Sequence, residues 1–232
     1  MTRAVWGTLL LACAPVFTAG AAAPGVTYRM EITLEHRPAG GEWKVVDPAT
    51  VFDKDAVVRF RFRANFGGYL YVMNQGTSGD YTQLFPSQDT GQENRIDPGR
   101  EYLVPATAGH FKITGPAGHD VLYWVVTPSA EEGGQRASGY KPLPPPPAAG
   151  TKLKTLTPRC DDAVFRARGE CVDNAAGPRK VEDATALPKN LQSMPGLKSR
   201  ELIFIREKNA AVVSSPAGLK GPVIYEFRLA HK

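Results

Sequence analysis

The fold is decided by residues 57–73, which read VVRFRFRANFGGYLYVM. Three arginines, Arg59, Arg61 and Arg63, alternate with apolar residues in the first half of this stretch, which is the period-two pattern of a half-exposed strand. A Gly-Gly turn follows, and residues 69–73 form a continuous apolar run that is typical of a central buried strand. The stretch therefore predicts two strands, one with a basic outer face and one in the interior of a sheet.

Short alternating segments separated by turn residues also occur outside this stretch. Residues 26–37 alternate apolar side chains with Arg29, Glu31, Thr33 and Glu35. The 23 glycines and 20 prolines of the 232-residue chain supply many breaks between such segments. Further strands are predicted at residues 81–86, 101–105, 111–114, 121–127, 201–206 and 222–229. This spacing predicts an all-β fold, an immunoglobulin-like β-sandwich.

The predicted strands are unevenly distributed, which suggests a domain organisation. We predict the sandwich in residues 22–130, followed by a Pro-rich crossover and a polar, irregular, disulfide-containing insertion in residues 131–200. Residues 201–232 hold too few strands to bury a core alone. We therefore expect these C-terminal strands to return to the sandwich, which makes 131–200 an insertion and not a second domain.

The first 21 residues read as a secretory signal peptide, with Arg3 before an apolar stretch and small residues that suit cleavage after Ala21. This predicts export to the periplasm or the medium. The apolar stretch is shorter than the about 20 residues that a membrane-spanning helix needs, so no transmembrane span is predicted. In an alternative interpretation, residues 10–13 form a lipobox and Cys13 carries a lipid anchor, which would make the protein an envelope lipoprotein.

Two cysteines, Cys160 and Cys171, remain after the predicted leader. An even number in an exported protein indicates one disulfide, which would close a loop of about a dozen residues. The alternative is a metal pair, but two cysteines without a neighbouring histidine are poor zinc ligands. Acidic residues beside this pair offer a second alternative, a calcium site, although no complete calcium-binding loop is present and the neighbouring arginines are simpler partners. We predict no cofactor and no metal.

The charge is concentrated in the second half of the chain. Residues 24–130 carry 10 basic and 12 acidic side chains, net −2, whereas residues 131–232 carry 17 and 11, net +6. An exported basic segment would suit an acidic protein or an anionic cell-envelope polymer such as teichoic acid, lipopolysaccharide or peptidoglycan; the alternative is a solvated surface that only keeps the protein soluble. Nucleic acid is not an expected partner, because the leader directs the chain away from it and no base-stacking module is recognisable.

Candidate site residues are those expected at a binding surface. The four histidines have no metal or triad spacing, and the motifs of zinc proteases, serine hydrolases and P-loop enzymes are missing from the sequence. We expect no catalytic residue. Aromatic residues of a sandwich mostly fill its core, yet two tyrosines share a face beside the Gly-Gly turn. The candidate binding residues are Arg59, Arg61, Arg63, Tyr69, Tyr71, Arg159, Arg166 and Arg168.

Several short motifs occur in an order that resembles a known family. They are Phe52-x-Lys54-Asp55, Val57-Val58-Arg59-Phe60, Gly68-Tyr69-Leu70-Tyr71-Val72, Leu84-Phe85-Pro86, Asn94-Arg95-Ile96 and Ile113-Thr114-x-Pro116-x-Gly118. Over residues 50–129 the chain is similar to the DUF4384 family, a domain of unknown function in exported or envelope bacterial proteins. The resemblance implies a β-sandwich-like module, often found beside other domains, with no established enzyme activity. It assigns no functional residue.

These observations favour a noncatalytic exported module that binds another envelope protein or a cell-surface polymer. One alternative is an envelope hydrolase acting on glycan or peptide, which would need two carboxylates about 5–9.5 Å apart in a cleft. Another is a structural subunit of an envelope assembly, which would present an uncovered sheet edge or apolar patch.

Overall fold

The computed structural model of the chain describes residues 27–128, 157–192, 202–207, 210–215 and 222–232. The predicted signal peptide, Cys13 and the proline run at 144–147 lie outside the described residues. Within them there are fourteen strands, β1 (Tyr28–Arg37), β2 (Lys44–Val46), β3 (Val51–Phe52), β4 (Val57–Ala64), β5 (Gly68–Gln75), β6 (Tyr81–Phe85), β7 (Arg95–Ile96), β8 (Glu101–Val104), β9 (Phe111–Lys112), β10 (Gly118–Pro128), β11 (Gly177–Arg179), β12 (Ile203–Glu207), β13 (Ala210–Ser215) and β14 (Val223–His231). Two short helices, α1 (Asp162–Arg168) and α2 (Lys189–Gln192), lie between β10 and β12.

The strands form two sheets. Sheet I has the order β12-β13-β1-β4-β8, with β2 beside β1 and β9 beside β4. Sheet II has the order β11-β14-β10-β5-β6, with β3 beside β14 and β7 beside β5. The prediction of an all-β fold in two sheets is confirmed, whereas the immunoglobulin-like arrangement stays a prediction. None of the described helices is long or apolar enough to cross a membrane.

Apolar residues of the inner faces hold the two sheets together. Trp124 of sheet II is 0% exposed, and its ring centroid lies 5.4 Å from that of Phe60 and 5.7 Å from that of Phe62, both in sheet I. Phe60 also meets Phe227 edge to face, with centroids 5.3 Å apart. Offset and edge-to-face contacts of this kind are the favoured aromatic geometries. The alternation of β4 is therefore explained by its phenylalanines, which fill the space between the sheets.

The C-terminal strands are divided between the two sheets. In sheet I, β13 pairs antiparallel with β1, and β12 pairs with β13. In sheet II, β14 lies between β10 and β11, and its inner side chains belong to the same core as Trp124. Residues 203–231 thus contribute one outer strand, β12, and two strands that have neighbours on both sides.

The outer face of sheet II is apolar and covered. Tyr71, Met73, Tyr123 and Val125 point outward there and are buried by three residues of the segment that follows β11, namely Val181, Leu187 and Leu191. The hydroxyl of Tyr81 donates to Oδ1 of Asn190 at 3.2 Å and ties this cover to β6. Residues 157–192 were expected to be irregular, but they carry α1, α2 and β11, and the last pairs with β14. This cover could not be predicted from the sequence, because its three apolar residues are not regularly spaced.

Candidate functional site

The outer face of sheet I is the surface on which most candidate residues meet. Arg59, Arg61 and Arg63 point outward from β4, because the apolar residues between them are all buried. The register of β1 and β4 places Glu35 opposite Arg59 and Glu31 opposite Arg63. Opposite charges on directly facing residues stabilise a strand pair. We call this surface the open face and define it by the outward residues of β1, β2, β4, β8, β12 and β13.

Ion pairs across the open face balance its arginines. Glu35 accepts from Arg59 at 2.5 Å and from Arg61 at 2.7 Å, and its own side chain is only 2% exposed. Three further pairs are Arg63–Glu31 at 2.8 Å, Arg61–Glu101 at 3.1 Å and Arg29–Glu207 at 2.8 Å. Four arginines therefore face four glutamates. The face presents an ordered pattern of both charges instead of a basic stripe.

Two arginines also contact the ring of Trp43 beside these ion pairs. The guanidinium carbon of Arg59 lies 4.3 Å from the ring centroid of Trp43, and that of Arg37 lies 4.9 Å from it. Both distances are within the range of cation–π attraction. Because Trp43 immediately precedes β2, the stack holds the start of this strand next to Arg59. Trp43 is thus a half-buried aromatic residue at the border of the open face.

Isoleucine and valine side chains complete the open face. Val45, Ile203 and Ile205 are 42%, 47% and 48% exposed, and they are three of the four large hydrophobic side chains exposed among the described residues. Val45 is paired with Glu35, and Ile205 is paired with Val212, which is itself paired with Glu31. Because directly paired residues point to the same side of a sheet, Val45 and Ile205 lie on the side of the ion pairs. A shallow depression of about 440 Å³ lies between Thr33, Val45, Arg61 and Glu207. Exposed apolar side chains and ion pairs therefore share this face.

Burial and ion pairing have opposite effects on Glu35. Burial raises the pKa of this carboxyl, but the hydrogen bonds and charges of Arg61 and Arg59 outweigh it, so the pKa of Glu35 is lowered from 4.5. A carboxyl whose pKa is lower in the folded state adds stability above its unfolded pKa and loses that contribution as the pH falls through the folded value. The pair therefore stabilises the sheet at neutral pH and weakens in acid.

We expect Glu35→Gln to lower the free energy of unfolding at pH 7, because the amide carries no charge for the two arginines. As the pH falls from about 6 to 3, the wild type should lose more stability than the variant, so the difference between them should shrink. Urea denaturation at a series of pH values measures this difference. Glu42→Gln, at an exposed position before Trp43, is the control. A difference between wild type and Glu35→Gln that does not change with pH would contradict the assignment.

The structure separates the other candidate residues from the open face. Tyr71 is 3% exposed and Tyr69 is half-buried, both on the outer face of sheet II. The expectation of an exposed tyrosine pair is therefore wrong for Tyr71, because Val181, Leu187 and Leu191 cover that face.

The cysteine pair closes a loop that contains Arg166 and Arg168 and begins directly after Arg159. Cys160 and Cys171 are joined as a disulfide, with Cα atoms 4.7 Å apart. The loop contains α1, whose N-cap is Asp161 and whose last turn carries Arg166 and Arg168. These two and Arg159 are exposed and form no ion pair with the described residues. Backbone hydrogen bonds from Val51 to Cys171 and from Asp173 to Ala49 attach the loop near β3.

Two acidic residues at this loop, Asp161 and Asp173, accept hydrogen bonds from nearby backbone amides. Asp161 accepts from the amides of Ala163 and Val164, and Asp173 accepts from those of Arg159 and Ala175. No group of three or more metal-ligating side chains occurs in the part of the chain that the structure describes.

Sequence reasoning missed several members of the open face. It placed Glu35 on the outer side of the first strand, but the pairing of β1 with β4 was not readable from the pattern. Ile203 and Ile205 lie in a continuous apolar run, Leu202 to Ile205, which does not tell the exposed side from the buried one. Trp43 belongs to no alternating segment, so its contact with Arg59 could not be predicted from periodicity.

Comparison with known families supports the resemblance seen in the sequence. The family model described as Domain of unknown function (DUF4384) matches residues 51–130, which include β3 to β10. Neither curated proteins nor solved structures gave a match. The matched residues supply β4 and β8 of the open face, whereas β1, β2, β12 and β13 lie outside the match.

Proposed function

We propose that this chain is a noncatalytic exported module that binds a protein partner through the open face. The observation that carries the proposal is the exposure of Ile203 and Ile205 beside a balanced ladder of ion pairs. Neighbouring exposed apolar residues rimmed by charges are typical of protein interaction sites. The predicted leader and the disulfide support a periplasmic or secreted location, with a lipid anchor at Cys13 as the alternative.

The charges of the open face favour a protein over an anionic polymer. A polymer such as teichoic acid would be attracted by uncompensated arginines, but Arg59, Arg61 and Arg63 are neutralised by glutamates of the same sheet. An alternating pattern of charges suits a partner with a complementary pattern, which gives specificity. At the border of the face, β12 has β13 as its only strand neighbour among the described residues, so its other edge is suited to strand addition.

Glu35, the buried carboxyl of the open face, is not suited to the general-acid role of a hydrolase. A hydrolase needs a carboxyl whose pKa is raised so that it can act as a general acid. The lowered pKa of Glu35 and its two arginine partners are typical of a structural ion pair.

Photocrosslinking in the native envelope tests the proposal. A photoreactive phenylalanine analogue at position 205 is expected to form an adduct with one protein, which mass spectrometry identifies. The same analogue at position 165 is the matched control, because Phe165 is equally exposed but lies on α1. Adducts at 165 alone, or at neither position, would contradict the proposal.

With the captured protein purified, Ile203→Asp together with Ile205→Asp is expected to weaken its affinity at least about tenfold, as central apolar contacts do when they are removed. Isothermal titration calorimetry measures this change, with Phe165→Asp as the control. Equal affinity of the double variant and the wild type would remove the open face from the interface.

A further inference from the structure

The outer edge of β12 faces solvent in the part of the chain that the structure describes. This strand lies at the end of sheet I and pairs only with β13 there. Four of its five residues, Ile203, Ile205, Arg206 and Glu207, are exposed, and no loop among the described residues forms a backbone hydrogen bond with it. Its outer edge therefore presents unpaired N–H and C=O groups that another strand can reach.

The hydrogen bonds of β1 show how the backbone groups of sheet I alternate. In an antiparallel pair, residues that bond to one neighbouring strand alternate with residues whose backbone groups point away from it. The backbone carbonyl of Arg29 accepts from the amide of Asn65, which directly follows β4, at 3.0 Å. Arg29 therefore bonds towards β4, and the next residue, Met30, bonds towards β13, where its partner is Val213.

The same alternation continues through β13 to β12. Because Val213 bonds to β1, its neighbour Val212 bonds to β12, where it is paired with Ile205. The backbone groups of Phe204 and Arg206, on either side of Ile205, therefore point away from β13. These two residues supply N–H and C=O groups to the outer edge.

A second copy of β12 matches this edge. If two copies run antiparallel about a twofold axis at Ile205, Phe204 of each copy lies opposite Arg206 of the other. Each of these pairs exchanges two N–H···O=C bonds, so every outward backbone group of Phe204 and Arg206 gains a partner. An axis at Phe204 or Arg206 would leave part of the strand unpaired, and the latter would set two arginines opposite each other.

The side chains suit the same pairing. Across the axis, the two Ile205 side chains become direct neighbours at a non-hydrogen-bonded pair, whose Cα atoms are about 4.5 Å apart. Ile203 lies opposite Glu207 of the other copy, and that carboxylate is already paired with its own Arg29 at 2.8 Å. Phe204 lies opposite a guanidinium group, which is a favourable cation–π pair. No like charges face each other among residues 203–207 in this register.

We propose that the protein partner of this chain is a second copy of it, joined through antiparallel pairing of the two β12 strands. The inference rests on the proposed function, because Ile205 belongs to the open face, and it names the partner. Any extended segment has backbone groups for this edge, but β12 also supplies a matching isoleucine at the centre and no opposing like charge. The dimer joins two copies of sheet I into one continuous sheet, with their open faces side by side.

A cysteine at the axis tests this register. All chains carry Cys13→Ser, so the remaining cysteines are Cys160 and Cys171, which are joined. Ile205→Cys places two thiols on directly paired residues, within the Cα separation of about 4.4–6.8 Å that a disulfide needs. Ile203→Cys is the matched control, because position 203 is equally exposed on the same face, but its two copies lie about 13 Å apart along the paired strands.

Oxidation of the full chain with copper phenanthroline is expected to convert Ile205→Cys, but not Ile203→Cys, into a covalent dimer on non-reducing electrophoresis. Only the purified chain is present, so the result does not depend on any other protein. Equal dimer yields from the two variants, or no dimer from Ile205→Cys, would overturn the proposal.

A proline at position 206 tests the backbone bonds. The N–H of Arg206 points to the second copy and not to β13, so Arg206→Pro removes a donor of the dimer without breaking a bond of the β12–β13 pair. Arg206→Ala loses the same side chain but keeps the N–H. Sedimentation equilibrium should give a dimer dissociation constant at least about tenfold higher for Arg206→Pro than for Arg206→Ala, because two bonds are lost per dimer. Equal constants would contradict the pairing; if Arg206→Pro fails to fold, the cysteine variants still decide.

The outcome for the dimer is separable from the outcome for the open face. A photocrosslink from position 205 to a second copy of this chain supports both proposals. If the wild type is still monomeric at about 1 mM in the ultracentrifuge and position 205 captures a different protein, the second copy is wrong and the open face remains a binding site.

Discussion

Replacing Trp124 with alanine is expected to lower the free energy of unfolding by about 3–5 kcal/mol. The indole is completely buried between the sheets, and it contacts Phe60 and Phe62 of the opposite sheet. Its removal leaves a cavity that the neighbouring rings fill only in part, so both the lost transfer energy and the cavity weaken the core. Urea denaturation followed by circular dichroism measures the change.

Trp43→Ala is the matched control for this experiment. Trp43 is half-buried and stacked between two arginines of the surface, so its removal should cost only about 1 kcal/mol. Similar losses for the two variants would mean that Trp124 does not organise the contact between the sheets.

Cys160→Ser together with Cys171→Ser is expected to destabilise the protein by about 3 kcal/mol, which is the usual effect of a disulfide that closes a loop of this length. The effect should be strongest around α1. None of the residues of α1 is buried, and the seven-residue helix is too short to be stable without its covalent closure and its caps, Asp161 and Gly169. Urea denaturation gives the loss of stability, and hydrogen exchange of the amides at 162–168 shows its location.

Reduction of the wild type provides the control for the disulfide. Dithiothreitol should reduce its stability to that of the double variant and leave the double variant unchanged. A double variant as stable as the oxidised wild type would contradict the expectation, because the loop would then be held by its contacts with β3 alone.

The long strands were predictable because each contains enough residues to show a clear hydrophobic pattern. The stretch 57–73 predicted β4 and β5, and the alternation of residues 26–37 and 222–229 predicted β1 and β14. The two-residue strands β3 and β7 show no period and were not predicted, whereas the equally short β9 lies within the strand predicted at 111–114. The disulfide followed from the number of cysteines and the expected compartment.

The candidate site was only partly predictable because it depends on which strands become neighbours. The outward direction of Arg59 follows from alternation, but its partner Glu35 lies 24 positions earlier and is brought close by register. The burial of Tyr71 depends on a cover more than 100 residues later in the chain.

The strand order also shows that the folded sandwich extends beyond the segment that the family model matches. Residues 51–130 include β4 and β10, but β1 and β14, which flank these strands, lie outside that range. A fragment cut at the family boundaries would leave both strands with an unpaired edge and their apolar faces uncovered. Such edges are templates for aggregation. A soluble fragment of this protein must therefore retain the strands at both ends of the described chain.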